Sequence, residues 1–236
     1  MSIWTRLGDF VSRVSGSAFA GVIEAVRAMF EGDPALRRRV AFSIAMIALS
    51  AKMAKADGIV TQDEVRAFQQ IFSVPAEHVR DVARLYDLAK GDTAGYESYA
   101  GHMADLFRTE QDGPEVLEDI LDGLFFIAKA DGYVHEREVG FLRRTAEIFS
   151  VDGTRFEAIL ARHARGGEAD PHKVLGVDRD MPFEEIRRRY HRLVAKNHPD
   201  RLIARGVPEE FIVIANQRVA ALNVAYETIE RGRRRT

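Results

Sequence analysis

Tyr190-His191-Arg192-Leu193-Val194-Ala195-Lys196-Asn197-His198-Pro199-Asp200-Arg201 reads as the end of a basic amphipathic helix that runs into a stop. Ile186, Tyr190, Leu193 and Val194 recur at helical spacing, with Arg187, Arg188, Arg192 and Lys196 on the surrounding faces. Pro199 disfavours the α conformation at His198 and removes a backbone donor, so the helix must end there. An exposed tripeptide, His198-Pro199-Asp200, is left at the tip of a positively charged rod.

Working outward toward the C-terminus, Arg201 to Pro208 connects the rod to a third helix that runs to about Glu230. Phe211, Ile214, Ala215, Val219, Leu222, Ala225, Tyr226 and Ile229 mark its apolar stripe. The two helices are expected to pair as an antiparallel hairpin. Upstream, Asp170-Pro171 opens a short helix with proline at its first position, leading to Val174-Leu175-Gly176-Val177. Such a small unit has a thin core, so Leu175, Ile186, Leu193 and Leu222 should carry much of its stability. Arg165-Gly166-Gly167-Glu168-Ala169-Asp170 before it reads as a flexible linker.

The charge divides at the same place. Residues 170–236 hold fourteen Lys and Arg against ten Asp and Glu, a net +4, whereas the preceding residues sum to −6. A basic unit behind an acidic one points to a charged partner for the basic unit. The chain has no cysteine, which removes disulfides, thiol chemistry and cysteine-ligated zinc and fits a cytoplasmic setting.

The acidic part contains a duplication. Ala54-Lys55-Ala56-Asp57-Gly58-Ile59-Val60-Thr61-Gln62-Asp63-Glu64-Val65 returns as Ala128-Lys129-Ala130-Asp131-Gly132-Tyr133-Val134-His135-Glu136-Arg137-Glu138-Val139. Each copy is followed by a helix and then by Ile-Phe-Ser-Val, at residues 71–74 and 148–151. Both halves read as all-helical. The glycine permits a left-handed turn that ends one helix, the valine two residues later enters the core, and Thr61 caps the next helix in the first copy. The spacing also matches the second half of a calcium-binding helix-loop-helix. A complete loop of that kind is excluded, because its first and third ligand positions are Met53 and Lys55, then Ile127 and Lys129. Asp57 with Glu64, and Asp131 with Glu138, are the candidate pairs for a looser divalent-metal site, and the turn-and-cap reading is preferred.

Glu115, Glu118, Asp119 and Asp122 share one side of the helix between the copies, opposite Val116, Leu117, Ile120, Leu121 and Leu124. A solvated face is the expected reading, with an acidic docking or cation site as the alternative. At the start, Ile3, Trp4, Leu7, Phe10, Val11 and Val14 form one clean helical face. Arg6, Asp9, Arg13 and Glu24 break any run long enough to span a bilayer, and no signal peptide stands out. The preferred reading packs this helix on its own domain or on a second copy of the chain in a homodimer. The alternative is peripheral membrane contact through residues 1–30, with Trp4 at headgroup level, at the inner membrane.

Two resemblances cover almost everything after residue 37. The duplicated Ala-x-Ala-Asp-Gly-x-Val-x-x-x-Glu pattern looks like the TerB-type helical domain of tellurite-resistance proteins, whose acidic surface is suspected of binding metal. Helix, Leu-Gly-Val, basic helix, His-Pro-Asp and a helix ending in Asn-x-Ala-Tyr-Glu resemble a J-domain. The connecting segment Asp200 to Pro208, and the domain order, look like the DjlA branch of J-domain proteins. The expected architecture is therefore all-α: an amphipathic segment over 1–33, a duplicated TerB-like bundle over 34–165, a linker over 166–170 and a J-domain helical hairpin over 171–236.

The resemblance implies a co-chaperone that docks on a DnaK-type chaperone and stimulates its ATP hydrolysis, with no cofactor required. Arg187, Arg188, Arg192 and Lys196 would lead docking on an acidic surface, Tyr190 matches a contact tyrosine or else packs in the core, and His198, Pro199 and Asp200 would form the trigger. The TerB-like domain would select client or location. His191, Arg189 and Asn197 depart from the residues usual in the family at those positions, and the membrane-spanning N-terminus of the best-known DjlA proteins is not matched. A metal-sensing or stress-response interaction protein is the runner-up. Nucleic-acid binding through the arginine-rich helix and Arg231-Gly232-Arg233-Arg234-Arg235 is disfavoured by the acidic first unit and the lack of interleaved aromatics. Enzymatic chemistry is disfavoured because no nucleophile, base and orienting acid stand together and no phosphate loop occurs.

Overall fold

The computed structural model describes residues 3–13, 21–22, 25–26, 28, 32–56, 68–69, 72–92, 95–108, 112–132, 134–164 and 169–234; the side chains of residues 13, 56 and 131 are also left aside. Among them, every regular element is helical. They are α1 (Ile3–Arg13), α2 (Pro34–Ala56), a 3-10 turn (Ala76–His78), α3 (Val79–Gly91), α4 (Tyr96–Phe107), α5 (Gly113–Ala128), a second 3-10 turn (Lys129–Asp131), α6 (Glu136–Ile148) and α7 (Gly153–His163). The C-terminal region adds α8 (Pro171–Leu175), α9 (Phe183–Lys196), α10 (Pro199–Ala204), a 3-10 turn (Glu209–Phe211) and α11 (Ile212–Arg233).

α2 is the central rod. Asp33 caps its start by accepting from the Leu36 N–H at 3.0 Å. It is buried almost throughout from Val40 to Ala54, and α1, α3, α4, α5 and α6 all pack on it. Its many alanines let those neighbours approach closely, and its polar Ser43 and Ser50 hydroxyls donate back to the carbonyls one turn earlier.

The duplication is visible in backbone geometry. Ser73 and Ser150 both adopt left-handed conformations, with φ of 47° and 59°. In each copy the following valine N–H donates five residues back, Val74 to Gln69 and Val151 to Ala146. Phe72 and Phe149 are buried in equivalent places. In the second copy Gly132, at φ 109°, closes the turn after α5 by donating to Lys129, and Val134 packs against the core, as the repeat predicted. The corresponding turn of the first copy, with Thr61, lies outside the described residues, as do residues 165–168 of the expected linker.

The N-terminal helix packs inside the fold. Ile3, Trp4, Leu7, Phe10 and Val11 are all buried, against α2, α3 and the turn at 76–78. The apolar face that suggested lipid is thus covered by this chain's own residues. Val14, Ser15–Ser17 and the rest of the segment to residue 20 lie outside the described residues. No described helix is long and apolar enough to cross a membrane.

The hairpin expected at the C-terminus forms. Phe183 stacks on Tyr226, Tyr190 on Tyr226, and the Tyr190 hydroxyl donates to Asn223, so α9 and α11 run antiparallel. Val174, Leu175, Ile186, Leu222, Ala225 and Ile229 make its core, with Leu193 partly buried beside them. Two features depart from expectation. A short helix, α10, takes in Pro199 and Asp200 of the tripeptide and the start of the segment after it. The hairpin is also not a separate body: Leu202, Val207, Phe211, Ile214 and Ala215 belong to the same hydrophobic cluster as α1 to α7.

Phe211 is the centre of that junction. Its ring lies 5.7 Å from Trp4, 5.2 Å from Phe42 and 4.5 Å from Phe72, centroid to centroid. Beside it Glu210 accepts from the Ile3 N–H at 2.9 Å, serving one of the unpaired donors at the start of α1. Gly123 of α5 lets the helices close up: a Cβ there would stand 2.7 Å from both Ile214 and Met46.

Candidate functional site

The rod ends as its sequence demands. Asn197 N–H donates to the carbonyls of Leu193 and Val194, closing α9, and His198 takes an extended conformation with φ −62° and ψ 139°. His198 then becomes the cap of α10: its Nδ1 accepts from the Asp200 N–H at 3.3 Å, and Pro199 fills the first helical position. A polar cap followed by proline is a helix-start signal that the reading of the segment as a plain connection passed over.

His198 and Asp200 stand in solvent, with side chains 57% and 86% exposed, and His198 Nδ1 is 3.5 Å from Asp200 Oδ2. Pro199 between them is half-buried. Arg187, Arg188 and Arg192 are exposed on α9, Arg188 lying 3.9 Å from Glu185. Tyr190 is half-buried, and its ring and hydroxyl are both used within the hairpin. The arrangement is a tripeptide and three cations presented together, with no described side chain placed to activate either His198 or Asp200 for covalent chemistry.

Lys196 is held differently. Its Nζ sits 3.4 Å from Glu115 and 3.8 Å from Glu118, carboxylates of α5. Partly exposed pairs of this kind are worth at most about 1 kcal/mol each, but they show where the acidic helix points. It faces the hairpin. Asp119 and Asp122 are each 1% exposed, so the expectation of a solvated acidic face does not hold for them. Arg218 of α11, also buried, places Nη1 2.7 Å from Asp119 and Nε 2.7 Å from Asp122. Arg205 closes on Asp119 at 2.9 Å, while Arg162 and His163 reach the other oxygen of Asp122 at 3.0 and 3.1 Å. Two buried carboxylates are thereby matched by three guanidiniums, which is what burial of such charges requires. Asp119 and Asp122 lay in the sequence as an i, i+3 pair. The signal for their partner was Arg218, a charged residue in the core-facing register between Ala215 and Leu222.

The candidate metal residues are not gathered by the described part. Asp57, Glu64 and the Asp131 side chain lie outside it. Glu138 accepts from the His135 N–H at 2.8 Å and so helps cap α6.

The family model described as tellurite resistance protein TerB matches residues 43–161, and the DnaJ domain model matches residues 170–236. The chain belongs to the DjlA-like J-domain family. It is similar to the co-chaperone protein DjlA of Photobacterium profundum, 28% identical over 82% of this chain and 78% of that protein. It is also similar to the DjlA of Photorhabdus laumondii, 24% identical over 98% of each. A shorter match to the Legionella pneumophila DjlA reaches 46% identity over 56 residues, 24% of this chain and 19% of that protein. No solved structure matches. Within this DjlA-like chain, α8 to α11 are the J-domain and α2 to α7 lie in the TerB-type part, joined by the buried ion cluster and by Phe211.

Proposed function

We propose that this chain is a co-chaperone that docks on a DnaK-type chaperone through its J-domain and stimulates ATP hydrolysis there. The observation that carries the reading is the tripeptide: His198 and Asp200 are exposed side by side beyond a helix whose free face shows Arg187, Arg188 and Arg192. That face supplies long-range attraction to an acidic surface, which acts on association rate and salt dependence. Asp200, with its carboxylate in solvent, is open to a bidentate bond from an arginine of the chaperone. The bond-breaking chemistry takes place on the nucleotide held by the chaperone, and this chain acts as a regulator. The relatives named co-chaperone protein DjlA support the role. The TerB-like domain would deliver the J-domain to its client or location.

The test is single-turnover ATP hydrolysis by a DnaK-type chaperone. His198→Gln and Asp200→Asn should each remove most of the stimulation while leaving the chain folded, with only a small drop in melting temperature for His198→Gln, whose ring caps α10. Undiminished stimulation by either variant would refute the role.

A further inference from the structure

The residue before the tripeptide is buried, although the tripeptide is not. Asn197 is 8% exposed. Its amide Nδ2 donates to the Leu193 carbonyl at 2.7 Å, and its Oδ1 accepts from Arg218 Nη1 at 2.6 Å. The same Nη1 donates to Asp119, and Arg218 Nε donates to Asp122. An unbroken line of charge-assisted hydrogen bonds therefore runs from α5, through α11, to the residue whose carbonyl opens the tripeptide. On the far side Leu202, fully buried in the core shared with α1 to α7, fixes α10. The exposed His198-Pro199-Asp200 is clamped at both ends by groups that rest on the TerB-like domain.

We propose that Asn197 and Arg218 are positioning residues that hold the tripeptide in its stimulating orientation, with Asp119 and Asp122 as their footing. The TerB-like domain is then a working part of the trigger as well as its carrier. This rests on the co-chaperone reading above and deepens it. Ordering the tripeptide during folding removes that cost from the encounter with the chaperone. Cutting the line leaves the docking cations of α9 in place and loosens only the tripeptide beyond Asn197. Docking is then preserved while the action after docking weakens.

Asn197→Ala in the full chain cuts the line and leaves the Asp119, Asp122 and Arg218 pairs intact. Single-turnover hydrolysis measured against concentration of the variant should show maximal stimulation down by on the order of tenfold, within the range that misplacement by an ångström can cost. The half-saturating concentration and the melting temperature should stay near those of the parent. Asn197→Asp keeps an acceptor facing Arg218 but loses the donor to the Leu193 carbonyl, and should restore stimulation in part. A second variant, Arg218→Met, removes the footing while Asp119 keeps Arg205 and Asp122 keeps Arg162 and His163, and it should behave like Asn197→Ala if it folds. In the chaperone-free protein, the ring NMR signals of His198 should shift and broaden in Asn197→Ala and recover in part in Asn197→Asp.

Unchanged maximal stimulation together with unchanged His198 signals in folded Asn197→Ala overturns the proposal. So does a loss of stimulation that only tracks the loss of folded protein. If the parent chain itself fails to stimulate, the co-chaperone reading falls, and the His198 signals alone still decide whether Asn197 holds the tripeptide.

Discussion

Asp122 takes hydrogen bonds on both oxygens, from Arg218 on one and from Arg162 and His163 on the other. Burial alone would raise its pKa, but Arg218, Arg162 and the His163 bond hold it well below the ordinary 3.8. For His163 burial wins. It lies flat on Phe125 with centroids 5.4 Å apart, and burial lowers it from 6.5 against the opposing pull of Asp122, with Arg162 and Lys129 adding to the lowering. Asp119 goes the other way, raised by burial against Arg218 and Arg205. The signs separate by pH. A histidine lowered in the fold leaves the unfolded chain to take the proton first, so stability is lost as pH falls below 6.5. Asp122 stabilises above the ordinary carboxylate range and its contribution is lost only in strong acid. Asp119, raised above 3.8, has the opposite sign and gives up stability as pH rises past 3.8. Below pH 6.5 the proton that the unfolded chain takes up first at His163 should lower the melting temperature. His163→Gln should flatten the slope in calorimetric scans at stepped pH; an unaltered slope would mean that His163 does not set it.

Helix by helix, most local signals that the described residues test were sound, while spacing alone did not pair distant residues. Asp170 capping α8 with Pro171 at its start, the glycine turn after α5, the basic rod and its proline stop all follow from residues within one turn of each other. Such rules are written in spacing, so they can be read directly. Spacing put Asp119 and Asp122 on one helical face, but their partner Arg218 lies 99 and 96 residues further on. Nothing local distinguishes a carboxylate awaiting water from one awaiting arginine. Phe211 was equally ambiguous, since an apolar residue at the head of α11 serves its own hairpin or a foreign core equally well. The structure gives it to Trp4, Phe42 and Phe72, and a large aromatic enclosed in that way should be costly to remove. Phe211→Ala should destabilise the chain by about 3–5 kcal/mol, measured by urea unfolding, through lost transfer energy and the cavity left behind. A cost below about 1 kcal/mol would mean that the contact with α1 and α2 is incidental.

At the scale of the whole molecule, the two family-defined regions make one body. Leu202, Val207, Ile214 and Ala215 lie in the core of α1 to α7, α8 packs on α7, and the ion cluster has members from both regions. Heating should therefore give a single cooperative transition, with helicity and the fluorescence of Trp4 lost together. A fragment of residues 170–236 would expose Leu202, Val207, Phe211 and Ile214 and leave Arg205 and Arg218 without their carboxylates. It should melt well below the full chain and bind an apolar dye that the full chain does not. Two resolved transitions in the full chain would contradict the shared core.

The position of Arg218 also bears on how the chain is made. Ribosomes deliver Asp119 and Asp122 long before residues 202–218 emerge. Until then the cavity awaiting Phe211 stands open and two carboxylates face water that they will later lose. The earlier helices gain Phe211 and Arg218 only with the C-terminal hairpin. Only when that hairpin seats does Asn197 find Arg218 in place behind it. A nascent chain would thus expose a correctly held tripeptide only once the bundle beneath it is complete, so that half-made copies have no finished trigger to offer.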